Sequence, residues 1–217
     1  MGTPAELDSE KRLAAEAAAL LVEDGMTVGL GTGSTVAYLL PTLAERGLSL
    51  RCVATSPETE ERGRALGLSI EPFDRLERLD IAIDGADQIA PDGWLVKGGG
   101  GAHTREKVVV MASARFVVIA SHDKLVERIA PPVPLELLRY GLAATLRELG
   151  QVQLRDVPPS PDGGVIADYL GPVDDPTEVD AWLSSVPGVI GHGLFPPRYV
   201  RDVVVGRGDG VETFQPK

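Results

Sequence analysis

The chain has 217 residues, and 21 basic against 32 acidic side chains give a formal net charge of −11, a field that disfavours nucleic acid and anionic lipid as partners. Hydrophobic residues at 43% and charged residues at 24% describe a folded core rather than a disordered chain, and one cysteine, Cys52, with three histidines excludes a disulfide framework and leaves a Cys/His zinc cluster hard to build. Glu6, Asp8 and Glu10 stand where a secretory leader would need apolar residues, and no apolar run reaches membrane-spanning length, so the expected setting is the reducing cytoplasm with no membrane partner.

Leu13, Ala17, Leu20 and Leu21 predict a helix over 8–23, stopped by Gly25. A short apolar strand over 27–30 leads into the polar turn Gly31-Thr32-Gly33-Ser34-Thr35 and an apolar helix from Val36 to Leu43. A strand over 49–54 follows, then a helix capped by Ser56 with Pro57 at its first position, ending near Gly67. Strand-like pieces are expected at Ser69–Pro72 and Asp80–Asp84, and Pro91-Asp92-Gly93 reads as a hairpin-like turn into Trp94–Val96. Gly98 to Gly101 form a permissive loop that can bring backbone close to a ligand. A helix from Thr104 to Met111 and a buried strand from Arg115 to Ala120 complete the alternation. Strands and helices at this spacing predict an α/β fold, a mostly parallel sheet with helices on both faces.

The rhythm changes at Pro131-Pro132. Residues 135–149 read as a helix, and Gln151–Arg155 and Gly164–Tyr169 as strands. Asp175, Pro176 and Glu178 open a further helix with a capping box, running to about Ser185. Strands at Val189–Leu194, Val200–Val205 and Val211–Phe214 close the chain. The pattern implies a first domain over 1–129 with 199–217, interrupted by a smaller α+β domain over 130–198.

Three polar stretches fall where an open α/β sheet gathers ligands, beyond the carboxyl ends of its strands. GTGST at 31–35 offers amides, hydroxyls and a helix start to an anion, or is a bare strand-to-helix turn; no lysine follows it as in a Walker loop. Asp84 and Asp87 in DGAD end an apolar strand, where a carboxylate is costly without a partner; they suit proton chemistry, magnesium beside a phosphate, or a capped turn. Lys97 leaves a strand into four glycines, and Glu106 and Lys107 lie in the next helix, either as a base with a cationic partner or as helix-end electrostatics. Lys124 follows another apolar strand and adds positive charge to an anion pocket. His103 and His122 read as proton carriers or, more commonly for such residues, as structural or solvent-facing ones; His192, in GHGLF, reads as part of a turn into the core, and Cys52 as a small buried hydrophobe.

Together these stretches resemble the ribose-5-phosphate isomerase family of the A type. The carriers are GLGTGSTV at 29–36, VATS at 53–56, IDGAD at 83–87 and KGGGGAHTREK at 97–107. IASHDK at 119–124, PLE at 134–136, PGV at 187–189, GLF at 193–195 and DGV at 209–211 follow in the family's order. The resemblance implies a Rossmann-like domain with a smaller, ferredoxin-like α+β domain, a homodimer or homotetramer, and no cofactor or metal. It implies an aldose–ketose isomerase of the pentose phosphate pathway acting on a sugar phosphate. Glu106 matches the family's base, Lys97 the stabiliser of the oxyanion, Asp84 the carboxylate of ring opening, and Asp87 its orienting partner. Thr32, Gly33, Ser34 and Thr35 match the substrate loop. Gly85, Ala86, Gly98, Gly99, Gly100 and Lys124 match the rest of the substrate pocket. Two features depart from the family. Gln88 stands where a glutamate usually follows DGAD, which removes a negative charge near Asp84 and Asp87. Pro196-Pro197 reads as a changed hinge or oligomer contact. Two rival readings stay open: an anion-binding protein for a sugar phosphate or CoA-type ligand, and a metal-dependent phosphoryl-transfer enzyme using Asp84 and Asp87.

Overall fold

The computed structural model describes residues 2–74 and 76–216. Its first helix, α1 (Pro4–Ala19), begins earlier than the apolar spacing indicates. Thr3 and Glu6 close a reciprocal capping box, and Pro4 takes the first turn. The helix also ends earlier, because Leu20, Leu21 and Val22 continue as tight turns. Then come β1 (Thr27–Leu30), α2 (Val36–Glu45), β2 (Arg51–Ala54) and α3 (Pro57–Ala65), whose Ser56 cap accepts from the Thr59 amide. Ser69–Pro72 is not a full strand. It makes one bridge, Ile70 to Cys52 at the edge of β2, and Pro72 cannot extend the ladder. β3 (Ile81–Asp84) is followed by the hairpin β4 (Gln88–Ile89) and β5 (Leu95–Val96), then α4 (His103–Ala112) and β6 (Phe116–Ser121).

The stretch read as helix over 135–149 divides. Val133–Leu137 is strand β7, and only Leu142–Leu149 is helical, as α5. All five β7 residues are buried between two neighbouring strands, so no alternation survives in the sequence to mark it. Pro134 is tolerated because its backbone faces Gly193, beyond the last paired residue of the adjoining ladder. β8 (Val152–Leu154), β9 (Val165–Tyr169), α6 (Pro176–Ser185) and β10 (Val189–His192) complete this unit. Asp175 caps α6 by accepting from the Thr177 and Glu178 amides, while the Glu178 side chain does not return to close a box. The order strand-helix-strand-strand-helix-strand, with the sheet arranged β10-β7-β9-β8, is the ferredoxin-like arrangement.

Val189–Leu194 is likewise not one strand. After Gly193 the chain leaves that sheet, and β11 (Leu194–Phe195) pairs with β5 instead. β12 (Asp202–Arg207) then returns parallel to β6, and β13 (Gly210–Phe214) folds back antiparallel on it. The main sheet therefore reads β13-β12-β6-β3-β1-β2, parallel except at one edge. Successive residues of its strands face opposite sides. Ile81 and Ile83 join Ala14, Ala18, Leu39 and Leu40 under α1 and α2. Ala82, Val118 and Val203 join Val109 and Val110 of α4 and Phe195 on the other face. This is the doubly covered α/β sheet expected from the sequence.

Candidate active site

From β1 the chain moves to β2 on one side, then crosses back to β3 on the other. That reversal opens a crevice at the carboxyl ends of β1 and β3, the usual ligand position in such sheets. Gly31 leaves β1 where any Cβ would stand 1.9 Å from Cγ of Asp84, so only glycine lets that carboxylate lie against the turn. Asp84 Oδ1 then accepts from the amides of Gly85 at 2.7 Å and Thr32 at 3.1 Å. Buried threonines brace the turn from behind: Thr59 Oγ1 donates to Gly31 O at 2.9 Å, and Thr55 and Thr32 share a hydroxyl contact of 2.7 Å. Thr35 makes no side-chain cap at the start of α2; the Ala37 and Tyr38 amides donate to Gly33 O and Thr35 O, and residues 32–35 line the crevice.

Lys97 enters from the end of β5 and is buried, with Nζ 2.9 Å from Asp84 Oδ2 and 3.1 Å from Glu106 Oε2. It also donates to the carbonyl of Gly85. Glu106 comes from the first turns of α4. Its contact with Lys97 is close but off the hydrogen-bond direction, so Oε2 is buried without a hydrogen bond. Burial, with the Asp84 charge added to it, pushes the Glu106 carboxyl up to about 8, against the pull of Lys97. Burial also raises Asp84, opposed by Lys97 and the two amides. For Lys97 burial acts downward, but two carboxylates around one ammonium outweigh it and hold the lysine above its ordinary value.

Gly98 to Gly101 make a tight turn closed by Gly101 N–H on Gly98 O at 3.0 Å. Gly98 has φ +110°, and a Cβ there would meet His103 Nδ1 at 2.6 Å. The Gly99 amide donates to Asp87 Oδ2 at 2.8 Å. The resulting cavity of about 250 Å³ is walled by residues 32–35, by Gly85, Ala86 and Asp87, by Lys97 to Gly100, and by Glu106 and Lys124. Asp84 lies directly behind Lys97. Lys124, beside Asp123 at 3.3 Å, stands on the side of β6. The structure thus lines one cleft with the residues singled out for substrate contact except Asp84, which is buried against Lys97. Larger cavities are present among the described residues; the one between α4 and the Glu71–Asp74 segment, of about 480 Å³, is lined by none of Asp84, Lys97 and Glu106.

A family model for ribose 5-phosphate isomerase A (phosphoriboisomerase A) matches residues 51–210. The chain belongs to the ribose-5-phosphate isomerase A family. A family member from Caulobacter vibrioides named ribose-5-phosphate isomerase A is 43% identical, over 96% of this chain and 99% of its own. The crystal structure of ribose 5 phosphate isomerase A from Neisseria gonorrhoeae superposes with a TM-score of 0.93 at 31% identity, covering 97% of this chain and 98% of that one. A structure of D-ribose-5-phosphate isomerase in complex with phospho-erythronic acid gives a TM-score of 0.90 at 33% identity, covering 96% and 99%.

Some residues of this family member lie where sequence reasoning does not put them. Lys107 is not helix-end decoration: it turns away from the cleft, 3.4 Å from His192 Nδ1. His103 is wholly buried, as the structural one of its alternatives has it. His122 is held by the buried carboxylate of Glu10 at 2.6 Å. Gln88 pairs through its amide with the backbone of Ala130, donating at 2.8 Å and accepting at 2.9 Å, a two-way contact a carboxylate cannot make. Pro196 and Pro197 start a short 3₁₀ turn over Pro197–Tyr199. Arg155, unremarked in the sequence, reaches the glycine turn from the end of β8, donating to the carbonyls of Gly98 and Gly99. No local pattern marks it, since its partners lie 57 and 56 residues away.

Proposed function

We propose that this chain interconverts D-ribose 5-phosphate and D-ribulose 5-phosphate, an aldose–ketose isomerisation of the pentose phosphate pathway. The observation that carries the reading is the buried Glu106–Lys97–Asp84 cluster at the wall of the β1/β3 crevice. Moving a proton between C1 and C2 needs one base in reach of both carbons and positive character over the neighbouring oxygens. Glu106, raised by burial, is a stronger base than a free carboxylate. In this reading it takes the C2 proton of the open-chain aldose, leaving an enediolate, and returns the proton to C1. Lys97 and nearby amides take up the negative charge on oxygen. Asp84 serves ring opening and proton traffic on the sugar oxygens, and Asp87 orients the hydroxyls. The 32–35 loop with Lys124 receives the phosphate, through amides, hydroxyls and an uncapped helix start. None of these steps calls on a metal or cofactor.

The same reading includes a homodimer or homotetramer in the cytoplasm, with residues 1–129 and 199–217 forming the catalytic domain and 130–198 the smaller one. E106Q tests the function against a binding module. Conversion of ribose 5-phosphate falls by at least roughly three orders of magnitude, while isothermal calorimetry still detects sugar-phosphate binding. Wild-type protein that binds ribose 5-phosphate but never yields ribulose 5-phosphate would leave a binding module. Turnover lost on dialysis against a strong chelator and restored by magnesium would transfer Asp84 and Asp87 to metal chemistry.

A further inference from the structure

One guanidinium joins the ferredoxin-like unit to the glycine turn of the cleft. Arg155 follows β8, and its amide donates to Ile166 O on β9 at 3.0 Å, so its backbone is fixed. Asp168, also on β9, holds the guanidinium by two parallel bonds, Nε to Oδ2 at 2.8 Å and Nη2 to Oδ1 at 2.7 Å. Nη1 is left over, and it donates to Gly98 O at 2.9 Å and Gly99 O at 3.0 Å. Among the described residues no other side chain donates to these two carbonyls. Both partners of the ion pair are mostly buried, with side chains 19% and 18% exposed.

The consequence follows from the planarity of the peptide bond. In a trans peptide the C=O of one residue and the N–H of the next point in opposite directions. Holding Gly98 O therefore aims the Gly99 amide, which donates to Asp87 Oδ2 at 2.8 Å. Holding Gly99 O sets the next peptide plane, that of Gly100. A run of four glycines has the largest backbone freedom of any sequence, so its conformation in the cleft must be imposed from outside. Lys97 immediately precedes the run and Asp87 is held by it.

We propose that Arg155 is a positioning residue of the isomerase, fixing the Gly98–Gly99 and Gly99–Gly100 peptide planes and through them Asp87 and Lys97. The inference rests on the isomerase reading of the cleft. It also gives the second unit a part in the chemistry, since Arg155 and Asp168 both belong to it. Lysine cannot replace the fork: a single ammonium does not hold a carboxylate by two parallel bonds and reach two carbonyls in a fixed plane.

The experiment compares wild type, R155K and R155M. It measures kcat and KM for ribose 5-phosphate, competitive inhibition by inorganic phosphate, and Tm. In R155M kcat falls roughly 10- to 100-fold, the cost of a small misplacement at a reacting centre. KM and the phosphate inhibition constant stay within about threefold, because the anion-binding loop is untouched. R155K, which keeps the charge beside Asp168, recovers only part of kcat. Folded R155M with wild-type kcat overturns the proposal. So does unchanged kcat with weakened phosphate inhibition, which would make Arg155 a direct ligand of the anion. Where R155M melts below the assay temperature, R155K decides by the same readouts. A wild type without turnover removes the isomerase reading itself, whereas an active wild type alongside an equally active R155M removes only this inference.

Discussion

Glu106 and Lys107 are neighbours in α4, yet they enter two different buried clusters that share one ring. Lys97 Nζ lies 5.5 Å from the centroid of Phe195, and Lys107 Nζ lies 5.0 Å from it. On the cleft side, two carboxylates surround one ammonium near the 32–35 loop. On the other side, Lys107 meets His192, whose Nε2 is 3.0 Å from Ser184 Oγ and 3.6 Å from Asp180 Oδ1 on α6. Burial is the largest influence in both, and it acts in opposite directions. It pushes Glu106 up to about 8 and Lys107 down to about 8, and it drives His103 and His192 down to about 3, with Lys107 adding to the effect. In the second cluster the two histidines relieve their cost by staying neutral. In the first, Lys97 is held charged by both carboxylates, and its pull opposes the burial that raises them. A perturbed titration alone therefore does not mark a site. A charged lysine between two carboxylates at the wall of a cavity does.

Replacing Lys97 sharpens that contrast most. K97M leaves two buried carboxylates facing each other without a cation. Turnover falls roughly a thousandfold, as for loss of a principal oxyanion donor, and the fold loses about 3–5 kcal/mol, as when a buried pair is broken from one side. Steady-state kinetics and urea denaturation read the two losses. Lost stability with retained turnover would reduce the cleft cluster to a structural one.

The pH profile comes next. Glu106 works ionised, and its raised value places the acid limb of kcat/KM near pH 8 rather than in the ordinary carboxylate range. Below that limb kcat/KM falls about tenfold per pH unit. A profile flat from pH 5 to 8 would break the link between burial and basicity.

K107M tests the other side of α4, and turnover there stays within about threefold of wild type. Its signature is in stability. Lys107 has a folded value below its unfolded one, so between about 8 and the ordinary lysine range the unfolded chain binds more protons. Wild-type stability contains a component that rises with pH through that window, and K107M lacks it. Denaturation midpoints at pH 7.5 and 10 check the sign. The smallest effect is that of salt. Raising ionic strength from low to physiological changes kcat/KM by about two- to fivefold, since local lysines and a net charge of −11 act on the anion in opposite senses.

What was legible before the structure is what is local. β1, β3 and β6 show as short apolar runs, and the turns that follow them show as glycine, threonine and aspartate at strand ends. Asp84 and Lys97 could be named because each stands at a strand end ahead of a glycine-bearing turn, and Glu106 because it lies in the first turn of a helix. β7 was not legible, because burial on both faces erases the alternation that distinguishes a strand from a helix. Lys107 reads as a surface charge until α6 and β10 are folded over it. Arg155 was out of reach for the same reason: its role lies in contacts with carbonyls far back in the chain.

In the proposed reaction Glu106 is the group that carries the proton between two sugar carbons. Incubating ribose 5-phosphate in heavy water with wild type and with E106Q, and following C2 by NMR, tests this most directly. Deuterium entering at C2 with wild type and absent with E106Q, while E106Q still binds the sugar phosphate, is the predicted result. Exchange at C2 that continues undiminished in E106Q would contradict it.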